Sequence, residues 1–200
     1  MRDVTQNAIQ KTKVAIIGAG FGGLAMSIRL LQSQIKDFVI LEKTNDVGGT
    51  WRENQYPGAA CDVQSHMYSL SFAPKTDWSK RYAEADEIFE YIQDITEQYK
   101  LKDYCKFNHE VSHAEFDENR NVWTLEFKDQ PTIEAQFVIF ASGPLHVPQI
   151  PHLKGIEKFK GKVFHSSQWD HQYSLEGKAV ASIGTGGSAI QYIPEIAQEV

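Results

Sequence analysis

The sequence predicts an α/β fold built on a parallel sheet, followed near its end by the opening of a second unit of the same kind. Three observations carry this. Two apolar runs, Lys13-Val14-Ala15-Ile16-Ile17 and Asp37-Phe38-Val39-Ile40-Leu41, lack the alternation of a half-wet strand, as strands covered on both faces do. Between them a glycine turn leads into apolar residues at helical spacing, so residues 13–42 read as strand, turn, helix, strand. A second apolar run followed by a second glycine turn begins at Lys178.

Each element follows in order. Leu24, Ile28, Leu31 and Ile35 recur at helical spacing after the first glycine turn. Residues 44–80 are rich in Gly, Pro, Asn, Asp and Ser with aromatics between them, which predicts little regular structure; a loop of that length usually carries function. Ile88, Ile92, Ile95 and Tyr99 stripe one face of a helix over 84–100. Residues 107–116 and 121–127 read as two strands about the polar turn Asp117-Glu118-Asn119-Arg120. Residues 137–141 read as another buried strand, stopped by Ser142-Gly143-Pro144. From 144 to 177 no period is visible, and the stretch reads as a connector. Residues 179–183 then predict a strand, 184–189 a turn and 190–196 a helical start. The domain borders expected are therefore 1–143, 144–177 and 178–200. A strand, turn and helix cannot bury their apolar faces without the rest of their sheet, so the expectation is the N-terminal portion of a longer protein.

Composition narrows the function. With 42% hydrophobic residues among 200, the chain can bury a sizeable core. Twenty basic against 26 acidic residues, a net −6, argues against nucleic acid as the main partner. No apolar run approaches the roughly 20 residues that span a bilayer. The first residues, MRDVTQNAIQKTK, have no apolar core of the kind a secretory signal needs. Two cysteines, Cys61 and Cys105, are too few for a disulfide framework and read as reduced thiols of a cytoplasmic protein. The histidines, among them His66, His109, His113, His146, His152 and His171, show no ligand spacing, and no H-E-x-x-H or C-x-x-C occurs, so metal-free chemistry is expected.

Two motifs point to dinucleotides. In Gly18-Ala19-Gly20-Phe21-Gly22-Gly23, the glycines at 18, 20 and 23 form G-x-G-x-x-G between strand and helix. The first permits a tight turn, the second lets a pyrophosphate approach the backbone, and the third lets helix and strand pack closely. This is the fingerprint of a Rossmann-like domain, and the helix N-terminus offers N–H groups to the phosphates. Glu42, 22 residues after Gly20 at the end of the second strand, is placed to accept from ribose hydroxyls. Gly184, Gly186 and Ala189, with Gly187 and Ser188 between them, form G-x-G-x-x-A. The residue reading its ribose would lie about 20 positions on, past Val200. Two fingerprints predict two dinucleotides, a flavin and a nicotinamide, with hydride passing from the second to the first.

Two further stretches carry a resemblance. Gly48-Gly49-Thr50-Trp51-Arg52-Glu53-Asn54-Gln55-Tyr56-Pro57-Gly58-Ala59-Ala60-Cys61-Asp62 resembles the GGxW-x4-[FY]PG-x3-D signature of flavin-dependent Baeyer–Villiger monooxygenases, within the wider flavin-containing monooxygenases. Phe159-Lys160-Gly161-Lys162-Val163-Phe164-His165-Ser166-Ser167-Gln168-Trp169-Asp170 resembles the F-x-G-x3-H-x3-W-[PD] fingerprint of the type I enzymes, just before the second glycine motif, as in that family. The related amine- and sulfide-oxidising enzymes usually carry Phe or Tyr at the position of Trp169. The four motifs span essentially the whole chain.

The resemblance implies FAD and NADPH as cofactors, and O2 with a ketone, or a soft nitrogen or sulfur compound, as substrates. One oxygen atom would be inserted by way of a C4a-peroxyflavin, giving an ester or lactone from a ketone. The alternatives are N- or S-oxygenation, or a non-catalytic flavin-binding fragment. It implies that Gly49, Thr50 and Trp51 lie along the flavin, that Asp62 is the acid beside flavin and nicotinamide and holds an arginine from a later segment, that Tyr68 is a further flavin contact, and that the Val111 backbone clamps adenine. Ser142, where Thr is commoner, belongs to the exit from the flavin domain. Phe159, Gly161, His165 and Trp169 form the connector fingerprint. Trp51 and Trp169 are also plausible packing residues, Asp62 a plausible loop acid, and His165 fits a structural hydrogen-bonding role better than that of a proton donor.

Overall fold

In the computed structural model, residues 9–144 and 146–200 are described; the first eight residues of the N-terminal stretch, and Leu145 in the connector, lie outside them. The chain divides into two compact units. The first is formed by residues up to Gly49 together with Ile92–Pro144, the second by Thr50–Tyr91 together with the residues from His146 to Val200.

The first unit is a six-stranded sheet in the order β3-β2-β1-β6-β5-β4. β1 (Gln10–Ile17) lies between β2 (Phe38–Leu41) and β6 (Ile133–Phe140), parallel to both, in the register Ile16 to Ile40 and Ile16 to Ile139. β3 (Cys105–Lys106) extends the parallel edge beside β2. β4 (Val111–Asp117) and β5 (Val122–Phe127) form a hairpin whose second strand runs antiparallel to β6. At the hairpin turn, Asp117 Oδ1 accepts from the N–H groups of Asn119 and Arg120, and Asn121 takes φ +51°, which asparagine tolerates. α1 (Phe21–Gln32) connects β1 to β2 and buries Gly23, Leu24, Ser27 and Ile28. Ala15, Val39, Leu41, Leu125, Ile133 and Ala135 form a buried cluster of the sheet.

Three expectations need correction. The strand expected over 107–116 starts only at Val111: Asn108 sits at φ +57°, and its N–H donates to Thr44 O, so the chain turns before the strand begins. The strand expected as buried over 137–141 is the second half of β6, where Phe137 and Phe140 are 58% and 62% exposed; burial depends on what covers a sheet face, not on the strand's own composition. Residues 179–183 form no strand, and Val180 and Ile183 are exposed: a strand is made by ladder partners, and these residues have none among the described residues.

The second unit has less regular structure. α2 (Thr50–Glu53) is a single turn, α3 (Ala85–Gln98) starts in this unit, and short 3-10 turns occur at Ser65–Met67, Ile156–Lys158 and Ser166–Gln168. α4 (Gly187–Ile196) follows the second glycine turn. Backbone pairs hold the loop region: Cys61 N–H donates to Ala83 O and Ala85 N–H to Ala59 O. Tyr91 OH accepts from Leu70 N–H and donates to Ala73 O, pinning the 70–73 turn. No helix among the described residues is long and apolar enough to cross a membrane.

Candidate functional site

In the first unit the glycine turn is built as its spelling implies. Gly18 has φ +106°, its N–H donates to Leu41 O at 2.8 Å, and a Cβ there would meet Ala141 O at 2.5 Å. A Cβ on Gly23 would lie 1.9 Å from Gly18 O, so helix and turn approach as only glycine allows. Gly20 is the N-cap of α1. No side chain caps the helix and no acid occupies its first turn. A Cβ on Gly20 would find only Gly49, its Cα at 3.5 Å, so protein packing does not demand glycine here. An uncapped helix N-terminus opened by a glycine with room before it fits a phosphate group.

Glu42 is buried, and its carboxylate braces this turn. Oε2 accepts from Ala19 N–H at 2.8 Å, and Oε1 accepts from both the N–H and the hydroxyl of Thr44 at 2.9 Å. Its backbone accepts from His109 N–H, two residues before Val111, whose place is the first residue of β4 opposite Phe127. Gly49 has φ +55°, and its Cβ position lies 3.0 Å from Gly20 Cα. The structure thus brings Gly18, Gly20, Phe21, Gly23, Glu42 and Gly49 to one end of the sheet. Burial, with the Glu42 charge next, pushes the Cys105 thiol up to about 12, which disfavours the thiolate.

In the second unit Trp51 and Tyr68 form a pair. The indole Nε1–H donates to the phenol oxygen at 3.0 Å, and the rings meet edge to face at 5.6 Å. Burial raises the Tyr68 pKa, so the phenol keeps its proton. Asp62 is exposed, and its charge adds to that rise. Trp169 packs against a cluster of Tyr56, Ala59 and Ala85, shared by Trp51 and Tyr192, and meets the Phe164 ring at 5.2 Å. It also lines a cleft of about 550 Å³ with Asp170, Tyr173, Leu175 and Ile196. His165 caps the turn Ser166–Gln168: Nδ1 accepts from Ser167 N–H at 3.1 Å. Gly161 leaves room for the Phe159 ring, whose Cζ would lie 2.5 Å from a Cβ. Gly184 has φ +114°, and Gly186 caps α4 without any side-chain cap. Ser188 and the buried Ala189 follow Gly187 in the first turn of α4.

One residue outside every sequence motif stands out. Gln191 of α4 makes three hydrogen bonds to the 56–60 segment, so this loop and this helix meet in the same unit. Among the described residues no group of His, Cys, Asp and Glu forms a metal site.

Residues 11–200 match the family described as flavin-binding monooxygenase-like. The chain belongs to this family. It is 49% identical over 192 residues to a Baeyer–Villiger monooxygenase of Pseudomonas aeruginosa, covering 96% of this chain and 36% of that protein. An oxidised steroid monooxygenase bound to NADP superposes with a TM-score of 0.86 at 36% identity, over 95% of this chain and 37% of that one. A closed cyclohexanone monooxygenase gives a TM-score of 0.88 at 33% identity, over 96% and 37%. The chain spans about a third of the length of the relatives it matches.

Proposed function

We propose that the protein carrying this chain is an FAD- and NADPH-dependent monooxygenase that converts a ketone to an ester or lactone with O2. Residues 1–143 then hold FAD, 144–177 form the connector, and 178–200 open the NADP-binding domain. The single observation that carries the flavin assignment is the first glycine turn. Its helix is uncapped and free of acids, its third glycine is locked by packing, and its second glycine is required by nothing in the protein itself. Membership of a flavin-binding family and the activity for which its relatives are named support the rest.

Bound FAD supplies the hydride acceptance and oxygen activation that no side chain offers. The chain's own residues position and protect. The N–H groups opening α1 bind the pyrophosphate, and Glu42 holds the turn while its remaining lone pairs accept from ribose. The Val111 backbone meets adenine. Gly49, Thr50 and Trp51 lie along the flavin, with Tyr68 fixed by the indole N–H and kept protonated. Asp62 orients a cationic partner. The uncapped start of α4, at Gly184, Gly186, Gly187, Ser188 and Ala189, takes the nicotinamide dinucleotide. His165 acts as a turn cap and Trp169 as a wall, which keeps water out as these reactions require. Two thiols outside any disulfide fit a cytoplasmic protein.

The test is product analysis. Full-length protein loaded with FAD, given NADPH, O2 and a cyclic ketone, is expected to yield the lactone in proportion to NADPH consumed. Sulfoxide from a thioether without lactone from any ketone would move the assignment to S-oxygenation. NADPH consumption that yields only H2O2 would overturn it.

A further inference from the structure

The amide of Gln191 is fitted to a backbone that lies 131 residues away in sequence. Oε1 accepts from Ala60 N–H at 3.2 Å and from Tyr56 OH at 2.9 Å, and Nε2 donates to Ala60 O at 2.8 Å. Ala60 N–H can only donate and its carbonyl can only accept, so the amide has one orientation. The contact is close: Gly58, at φ +71°, would place a Cβ 2.8 Å from Glu195 Cγ and 3.0 Å from the Gln191 carbonyl oxygen. The Tyr56 and Tyr192 rings meet edge to face at 6.1 Å beside it. Glutamine is the side chain that meets all three groups. Glutamate has no donor for Ala60 O, methionine offers neither function, and asparagine is a methylene short.

The position of this contact matters more than its strength. Gln191 lies on the helix that the second glycine turn opens, five residues after Gly186. Ala60 and Tyr56 lie between Trp51 and Asp62, on the loop of the glycine-rich signature. We propose that Gln191 is a positioning residue that couples occupation of the second glycine turn to the ordering of the 51–62 loop. The inference rests on assigning that turn to a nicotinamide dinucleotide. A phosphate seated on the N-terminus of α4 restrains the helix. The restrained helix holds the Ala60 backbone through two hydrogen bonds with the Gln191 side-chain amide, and the loop loses its freedom to open. By linkage, an ordered loop tightens nucleotide binding by the same factor.

Hydrogen exchange on the full-length protein, with and without saturating NADP+, separates the possibilities. Two peptides are followed, one over 184–196 and one over 55–62. In the wild type both slow on adding NADP+. In Gln191→Met the helix peptide still slows, while the loop peptide exchanges about tenfold faster without ligand, as the loss of net hydrogen bonding implies, and no longer responds to NADP+. The KM for NADPH rises severalfold with FAD content unchanged. Tyr56→Phe removes one of the three bonds without removing volume; it reduces the loop response only in part, and serves if Gln191→Met does not fold. A loop response in Gln191→Met equal to wild type, or one unchanged in Tyr56→Phe where only that variant folds, overturns the proposal. So does a wild type in which the helix slows and the loop does not, which leaves the nucleotide assignment standing. A wild type in which neither peptide slows overturns that assignment, and the inference falls with it.

Discussion

The two glycine turns are nearly the same in spelling and different in setting. Gly18 and Gly184 share a left-handed backbone, φ +106° and +114°, and Gly20 and Gly186 both cap a helix without side-chain help. Around the first turn, the Cβ positions of Gly18 and Gly23 run into backbone; around the second, those of Gly184, Gly186 and Gly187 meet nothing within 4 Å. β1 before the first turn is paired on both sides, whereas residues 179–183 have no ladder partner among the described residues. One motif therefore holds three separable requirements: a backbone angle, a close approach within the fold, and room for a ligand. The first turn carries all three, and the second carries the angle and the room.

The third position should show the largest difference. Gly23→Ala sets a methyl 1.9 Å from Gly18 O, which helix or strand must move to relieve; a loss of roughly 3 kcal/mol or more is expected from such overpacking. The second turn already carries Ala189 at this place, buried without conflict, and Ala189→Gly should cost only about 1 kcal/mol through helix propensity. Urea unfolding of both variants checks this. Equal costs would mean that the two turns are packed alike.

The first position comes next. Gly18→Ala combines a strained φ with a Cβ at 2.5 Å from Ala141 O, whereas Gly184→Ala meets the strain alone. About 1–2 kcal/mol is expected at Gly184 and clearly more at Gly18. The same unfolding curves decide it, and a Gly184 cost at or above that of Gly18 would remove packing from the account.

The middle position isolates the ligand. At Gly20 a Cβ has an ordinary contact and φ is −84°, so Gly20→Ala should lower stability by less than about 1 kcal/mol, the loss of a permissive N-cap. Flavin affinity, measured by titration of the apoprotein, should fall tenfold or more because the methyl occupies the phosphate's approach. Wild-type affinity would mean that the phosphates sit elsewhere.

The same division explains what the sequence could and could not tell. The first strand, turn and helix, the stripe of α3 and the hairpin about 117–120 are local patterns, and the structure has them. Residues 179–183 have an equally good strand pattern and form none, because pairing partners lie outside any local window. Phe137 looked like core for the same reason. Within α4 the pattern even inverts: Ile190 and Ile193 are exposed while Gln191 is half-buried. A polar residue amid apolar ones was the one visible trace of its role, and its partners, 131 and 135 positions away, were not legible. Glu42 was legible as an acid at a strand end, but its bracing of Ala19 and Thr44 was not.

The smallest expected effect distinguishes the two units by acid. In the first, the Glu134 side chain is 6% exposed and bonded to Arg120, with Lys11 at 3.5 Å; the Arg120 hydrogen bond holds its carboxyl below the usual range. In the second, Asp170 is lowered by a hydrogen bond from Lys162 at 2.7 Å, with side chains 30% and 44% exposed. Both acids titrate lower folded than unfolded. Each pair therefore stabilises the protein above the unfolded carboxylate pKa, about 4, and that contribution is lost as pH falls through the lower folded value. The Lys162 pair is open to water, where such pairs contribute little; the Glu134 carboxylate has two cations and little solvent. Glu134→Gln should therefore flatten the fall of the urea midpoint below about pH 4.5, while Asp170→Asn leaves that fall as in the wild type. If Asp170→Asn flattens it as much as Glu134→Gln, solvent exposure does not separate the two pairs, and the acid response belongs equally to both units.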